Sequence, residues 1–152
     1  MALDDEIRIL SGVGLFSALT ADQLRLLAFG VETLRLEADE ALYSEGQAAD
    51  CAYIVMAGRV ELFRTSEEGK RSTVGLAGQG TVLGELGLIA ATRRLTDAVA
   101  VADTDVMMVP RKLFRRILEE YPEVAVALHA RISEEFQAMV RQIEKLAPRF
   151  DP

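Results

Sequence analysis

The chain is poor in the residues that much of enzyme chemistry needs. Its 152 residues include one cysteine, one histidine and no tryptophan. A lone cysteine, Cys51, cannot close an internal disulfide, which fits a reducing, cytoplasmic compartment. A lone histidine, His129, cannot supply a His-rich metal site and leaves a Ser/His/Asp or Cys/His catalytic set improbable. Basic residues are in deficit, with 17 Lys+Arg against 24 Asp+Glu and a net charge of −7. A polyanion such as nucleic acid calls for the opposite sign. Long apolar runs are missing too: none reaches the ~18 residues of a membrane span. Met1–Leu10 carries Asp4, Asp5 and Glu6 rather than a basic stretch leading into an apolar one, so it does not read as a secretory signal. These absences point to a binding domain rather than an enzyme.

Half of the residues are hydrophobic, enough for one core without staples. The order of periodicities gives the architecture. Thr20 and Gln23 stand three apart, as in a capping box, ahead of Leu24, Leu27 and Ala28 on one helical face, and Gly30 is a stop signal. From Val31 to about Val109 short alternating runs are punctuated by Gly46, Gly58, Gly69, Gly78 and Gly80, the pattern of an antiparallel sandwich or barrel. Ala52–Met56 and Arg59–Phe63, joined through Ala57-Gly58, read as a hairpin. After Pro110 the helical period returns. A short helix carries Leu113, Phe114, Ile117 and Leu118 and ends near Tyr121-Pro122. A longer one runs from about Glu123 to Leu146, with Leu128, Ile132, Phe136, Met139, Ile143 and Leu146 forming a heptad-like seam. The expected fold is mainly β with flanking α. It is a single domain over 1–152: a jelly-roll-like barrel over about 31–109, a helical start, and two C-terminal helices over 110–146.

The stretch with most chemical content is Gly78–Ala100, GQGTVLGELGLIAATRRLTDAVA. Its glycines permit tight turns and close approach of backbone to a ligand. Gly84-Glu85-Leu86-Gly87-Leu88 can form one helical turn whose free N–H groups face an anion. Arg93 and Arg94 follow at the threshold of an apolar strand, where a guanidinium can hold a phosphate bidentately. The Glu85 carboxylate can accept from a sugar hydroxyl, as acidic residues do for ribose. Turn, acid and arginine together suit a sugar phosphate.

This segment resembles the phosphate-binding cassette of cyclic nucleotide-binding domains. Leu83-Gly84-Glu85-Leu86-Gly87-Leu88 matches the front of the cassette, and Arg94 falls nine residues after Glu85. The resemblance extends along the chain. It takes in Phe16-Ser17-Ala18-Leu19, Tyr43-Ser44-Glu45-Gly46, the run from Tyr53 through Ala57-Gly58-Arg59-Val60, and Val109-Pro110-Arg111 followed by Leu113-Phe114. It implies that Glu85 holds the ribose 2′-hydroxyl, that Arg94 pairs with the cyclic phosphate, and that backbone around Gly84, Leu86 and Gly87 completes the anion cradle. It also implies that the long helix lids the base, through Phe136, Met139 and Val140, and pairs with its twin in a homodimer. The chain departs from the pattern after the arginine. Leu95 stands where a small or hydroxyl residue is usual, and Thr96, also a candidate ligand contact, comes one later. On a strand that step would turn Thr96 to the opposite face. Threonine directly after the arginine goes with cGMP preference in the family, so cAMP is the expected ligand. Asp97 could pair with Arg94 and compete with phosphate.

The expected function is therefore a cyclic nucleotide sensor that relays binding to its C-terminal helices and to a twin or partner protein. The alternative is a ligand-free domain of the same fold that acts in dimerisation or protein interaction. No metal or other cofactor is expected, nor contact with membrane or nucleic acid from this chain alone. Cys51 reads as a small core residue and His129 as a surface one. Arg111, Lys112, Arg115 and Arg116 read as a solvated helix face.

Overall fold

The computed structural model describes residues 2–146. Helix α1 (Ala2–Ser11) and a short 3-10 turn (Gly14–Phe16) precede α2 (Ala21–Gly30). The α2 start is the expected capping box. Thr20 Oγ1 accepts from the Gln23 N–H at 3.2 Å, and Gln23 Oε1 accepts from the Thr20 N–H at 2.9 Å. Two otherwise unpaired backbone donors are thereby satisfied.

Ten short strands follow among the described residues: β1 (Glu32–Leu36), β2 (Ala41–Tyr43), β3 (Ala48–Ala49), β4 (Cys51–Ala57), β5 (Val60–Thr65), β6 (Arg71–Ala77), β7 (Val82–Leu83), β8 (Thr92–Arg93), β9 (Asp97–Ala100) and β10 (Thr104–Pro110). They pair antiparallel in the orders β1-β10-β4-β7, β2-β9-β5-β6 and β3-β8. Helices α3 (Arg111–Glu120) and α4 (Pro122–Leu146) complete the chain. The jelly-roll-like reading holds, and so do the helix boundaries at Tyr121-Pro122. No helix among the described residues is long and apolar enough to cross a membrane.

The expected hairpin is not formed. β4 pairs with β10 and β7, whereas β5 pairs with β6 and β9 in the other sheet. The Ala57–Arg59 corner changes sheets. Gly58 sits at φ 93°, and Thr104 Oγ1 accepts from the Arg59 N–H at 3.1 Å, tying the corner to the start of β10. A glycine turn between two apolar runs is a local signal; which strand each run pairs with is decided by distant chain.

Two apolar clusters explain the pattern of β4. Val55 packs inside the roll with Leu36, Val60, Leu83, Ala98 and Val106. Ala52 and Ile54 point the other way, into a cluster with Met107 of β10 and with Leu27, Phe114 and Leu128 from the helices. A strand covered on both faces reads as a nearly unbroken apolar run. Phe16 and Phe114, both fully buried, join the N-terminal 3-10 turn to α3 with ring centroids 5.4 Å apart.

Candidate functional site

A turn at the mouth of the roll builds the site. Gly84 adopts the left-handed conformation (φ 74°, ψ 38°) and starts a 3-10 turn over Glu85–Leu88. Leu88 anchors the turn in the helical core, while Glu85 and Leu86 stay exposed. The Gly87 N–H donates to the Gly84 carbonyl at 2.9 Å, so that donor of the expected cradle is committed inside the turn. By the geometry of a helical start, the N–H groups of Glu85 and Leu86 have no partner within the turn. Gly87 packs tightly: a Cβ there would lie 2.9 Å from the Cys51 carbonyl oxygen.

Arg94 is held by its backbone before its side chain is considered. Its N–H donates to the Gln47 carbonyl at 2.8 Å, and its carbonyl accepts from the Gly46 N–H at 2.9 Å. Arg93 adds a third tie, from Nη1 to the Gly46 carbonyl at 2.9 Å. The Tyr43-Ser44-Glu45-Gly46 motif is thus the mount on which both arginines sit.

The Arg94 side chain is 6 % exposed. Nη2 donates to the Cys51 carbonyl at 3.1 Å and contacts Cys51 Sγ at 3.3 Å. The guanidinium lies 4.5 Å from the Tyr43 ring centroid and 5.2 Å from that of Tyr53. Nη1 has no hydrogen-bond partner and is buried. It lies against Gly84, where an added Cβ would overlap it. No carboxylate among the described residues forms an ion pair with Arg94. Asp97, the expected competitor, instead accepts from the Glu45 N–H at 2.8 Å. A buried cation with an unsatisfied donor and no counter-ion is costly in isolation, and it is the arrangement an incoming phosphate would complete.

A cavity of about 620 Å³ opens here, lined among others by Tyr43, Leu62, Gly84, Glu85, Leu86, Gly87 and Arg93–Thr96. That volume is within the ordinary range for small-molecule sites. It brings together seven residues picked from the sequence: Gly84, Glu85, Leu86, Gly87, Arg94, Leu95 and Thr96. Leu95 and Thr96 form a bend between β8 and β9 rather than strand, so the strand alternation expected between them does not apply and both line the cavity. Leu95 is 71 % exposed at the rim. Phe136, Met139 and Val140 are not brought to this cavity; Phe136 and Met139 stand exposed on α4.

Sequence reasoning missed three contributors: Tyr43, Tyr53 and the backbone of Cys51. Both tyrosines lie in recognised motifs, but nothing in those motifs marks an arginine packed beside the two rings. Burial raises the Tyr43 phenol, opposed by the Arg94 charge and a bond from Thr96. Burial, reinforced by Cys51, pushes Tyr53 up to about 12 against the pull of Arg94. Both rings therefore stay neutral beside the cation. Cys51 is buried, as expected, but its sulfur faces the arginine. His129 is exposed on α4. Among the described residues no group of three His, Cys, Asp or Glu could hold a metal ion.

The roll, its mouth turn and the buried arginine are those of a ligand-binding regulatory fold. Residues 33–121 match the family model described as "Cyclic nucleotide-binding domain", and the chain belongs to that family. A solved cyclic nucleotide-binding-like protein from Brucella abortus is 55 % identical, with a TM-score of 0.72 over 76 % of this chain and 99 % of that one. The regulatory domain of Toxoplasma gondii PKA, solved with cAMP, is 27 % identical, with a TM-score of 0.71 over 76 % of this chain and 44 % of that one. Human patatin-like phospholipase domain-containing protein 6 is 29 % identical over 136 residues, which is 90 % of this chain and 10 % of that protein. The chain thus spans a small part of the curated relatives it matches.

Proposed function

We propose that the chain is a cyclic nucleotide sensor that takes cAMP in preference to cGMP and passes the bound state to α3 and α4. The observation that carries this reading is Arg94, a buried guanidinium with an unpaired Nη1 at the wall of the cavity. A cyclic phosphate supplies the missing charge and acceptors. Glu85, exposed at the same wall, accepts from the ribose hydroxyl, and the N–H groups at the start of the 84–88 turn support the phosphate. Leu62, Leu86 and Leu95 offer the base apolar contact without reading its edge. Leu95 follows Arg94 directly, where a hydroxyl would favour guanine. Residues 31–109 form the ligand-binding part of one domain, 110–146 its output. The reading also takes in a reducing cytoplasmic setting, a homodimer through α4, and Phe136, Met139 and Val140 as base contacts in a closed state. The Asp97 contact with Glu45 weighs against the ligand-free alternative, because it leaves Arg94 without a structural carboxylate.

Isothermal titration with cAMP and with cGMP tests the proposal. Binding of cAMP is expected, with weaker binding of cGMP. Arg94→Ala should cost roughly 2–4 kcal/mol of affinity, since it strips a charged partner from the phosphate. Silence with both nucleotides at millimolar concentration, or an unchanged affinity in Arg94→Ala, overturns it.

A further inference from the structure

Arg111 does not belong to the solvated basic face that sequence reasoning assigns to it. Lys112, Arg115 and Arg116 are exposed, but Arg111 is half-buried and hydrogen-bonded to backbone carbonyls. Its Nη1 lies 2.9 Å from the Ala90 carbonyl oxygen, 3.2 Å from that of Ala49 and 3.4 Å from that of Gly87. Its backbone N–H donates to the Asp50 carbonyl at 2.9 Å. One residue at the first position of α3 therefore grips both the cassette turn and the strand junction beneath it.

The placement is telling because the helix itself does not favour it. A cation in the first turn of a helix opposes the macrodipole, and α3 has no acid in that turn to offset it. The carbonyls of Gly87 and Ala90, left free where the 84–88 turn ends, supply the compensation. The junction 49–51 is shared. Arg111 holds the carbonyls of Ala49 and Asp50, and Arg94 holds the carbonyl of Cys51, the next in line. Three consecutive carbonyls thus lie between the phosphate-facing arginine and the first residue of the output helix. Gly87 rests on the same junction, with its Cβ direction towards the carbonyls of Cys51 and Ala49.

We propose that Arg111 is a positioning residue that couples the cassette to α3, so that movement of the 84–90 turn or of Arg94 is transmitted to the C-terminal helices. The apolar contact through Leu88 and Phe114 joins the same elements, but dispersion contacts are non-directional and permit sliding. Hydrogen bonds from one guanidinium to several carbonyls fix register. The proposal rests on the cyclic nucleotide reading only for the identity of the natural trigger.

The test is amide hydrogen exchange on the full chain, read separately over 84–90 and 111–120, with cAMP as the probe. Wild type should slow in both segments when cAMP is added. Arg111→Gln should keep the response in 84–90 and lose most of that in 111–120, a reduction of at least about fivefold for the loss of a charged hydrogen-bond donor. Arg111→Lys, which keeps a cation on a shorter reach, should restore part of it and replaces the Gln variant if that one fails to fold. An undiminished helix response in whichever variant folds overturns the coupling. If wild type shows no response to cAMP in either segment, the nucleotide reading has failed and the coupling is judged without ligand. Gly87→Ala, which crowds the Cys51 carbonyl, should then speed exchange in 111–120 when Arg111 is present and not when it is Gln. Equal transmission in both backgrounds overturns the proposal.

Discussion

Tyr53 shows how a side chain outside the direct ligand contacts shapes the site. Its ring lies beside that of Tyr43, with centroids 6.0 Å apart, and both lie close to the Arg94 guanidinium. Neutral aromatic faces attract a cation without neutralising it, so the arginine keeps its charge for an anion. The raised phenol has a consequence for stability. An unfolded Tyr53 loses its proton near the ordinary 10.0, whereas the folded one keeps it to about 12. Between those values the folded state binds more protons, so stability falls as pH rises through the window. Tyr53→Phe should therefore shrink the drop in thermal midpoint between about pH 9 and about pH 11 relative to wild type. Equal drops in the two proteins would remove Tyr53 from the account. Of the residues at this scale, Arg94 was legible because an arginine after a glycine-rich turn has few other uses. Tyr43, Tyr53 and the Cys51 carbonyl were not. Their roles depend on β2 and β4 bringing two stacked rings to the same arginine, which no local pattern encodes.

At the scale of elements, the 84–88 turn carries the most function for its length. Its left-handed start at Gly84 does two jobs: it sets the turn, and it leaves room for Arg94 Nη1. An alanine there meets both a strained φ and the guanidinium. Gly84→Ala should displace Arg94 and weaken cAMP binding at least about tenfold, with the folded state retained because the position is at the surface. Titration and a thermal melt on the same sample check this; affinity within about twofold of wild type would mean that the arginine adapts. The capping box at Thr20 and the break at Pro122 were readable because each depends on residues within one turn of helix. The supposed hairpin at Ala57-Gly58 failed for the opposite reason. Its runs are local, but their partners β10 and β9 lie far along the chain, where pairing is set by topology rather than by the turn. Arg111 was misread in the same way, because its carbonyl partners lie on two segments far from it in sequence.

For the whole molecule, the acidic excess proves to be a weak guide to the ligand. The cavity wall carries Arg93 and Arg94 against Glu85, a local balance opposite to that of the chain. Surface carboxylates more than a Debye length away, about 8 Å in physiological salt, are screened, whereas a buried guanidinium is not. A second global feature is the split of the long seam. Leu128 is buried in the domain core, but Phe136 is 63 % exposed, and Ile132, Met139 and Ile143 are exposed along the same face. Such a face has the pattern of one half of a paired-helix interface, as the proposed dimer requires. Sedimentation should find wild type dimeric at micromolar concentration and Phe136→Glu shifted to monomer. A monomeric wild type would end the dimer reading without touching the binding site.

The chain of carbonyls at 49–51 has a further consequence, for how such a protein can vary. Every amino acid brings the same carbonyl, so the identities of Ala49, Asp50 and Cys51 can drift while the three acceptors persist. Only the arginines at either end are spelled out by the genetic code. A relative could therefore preserve this link with none of the three junction residues in common, and its ancestry would be visible in two guanidinium groups and a path of main chain between them.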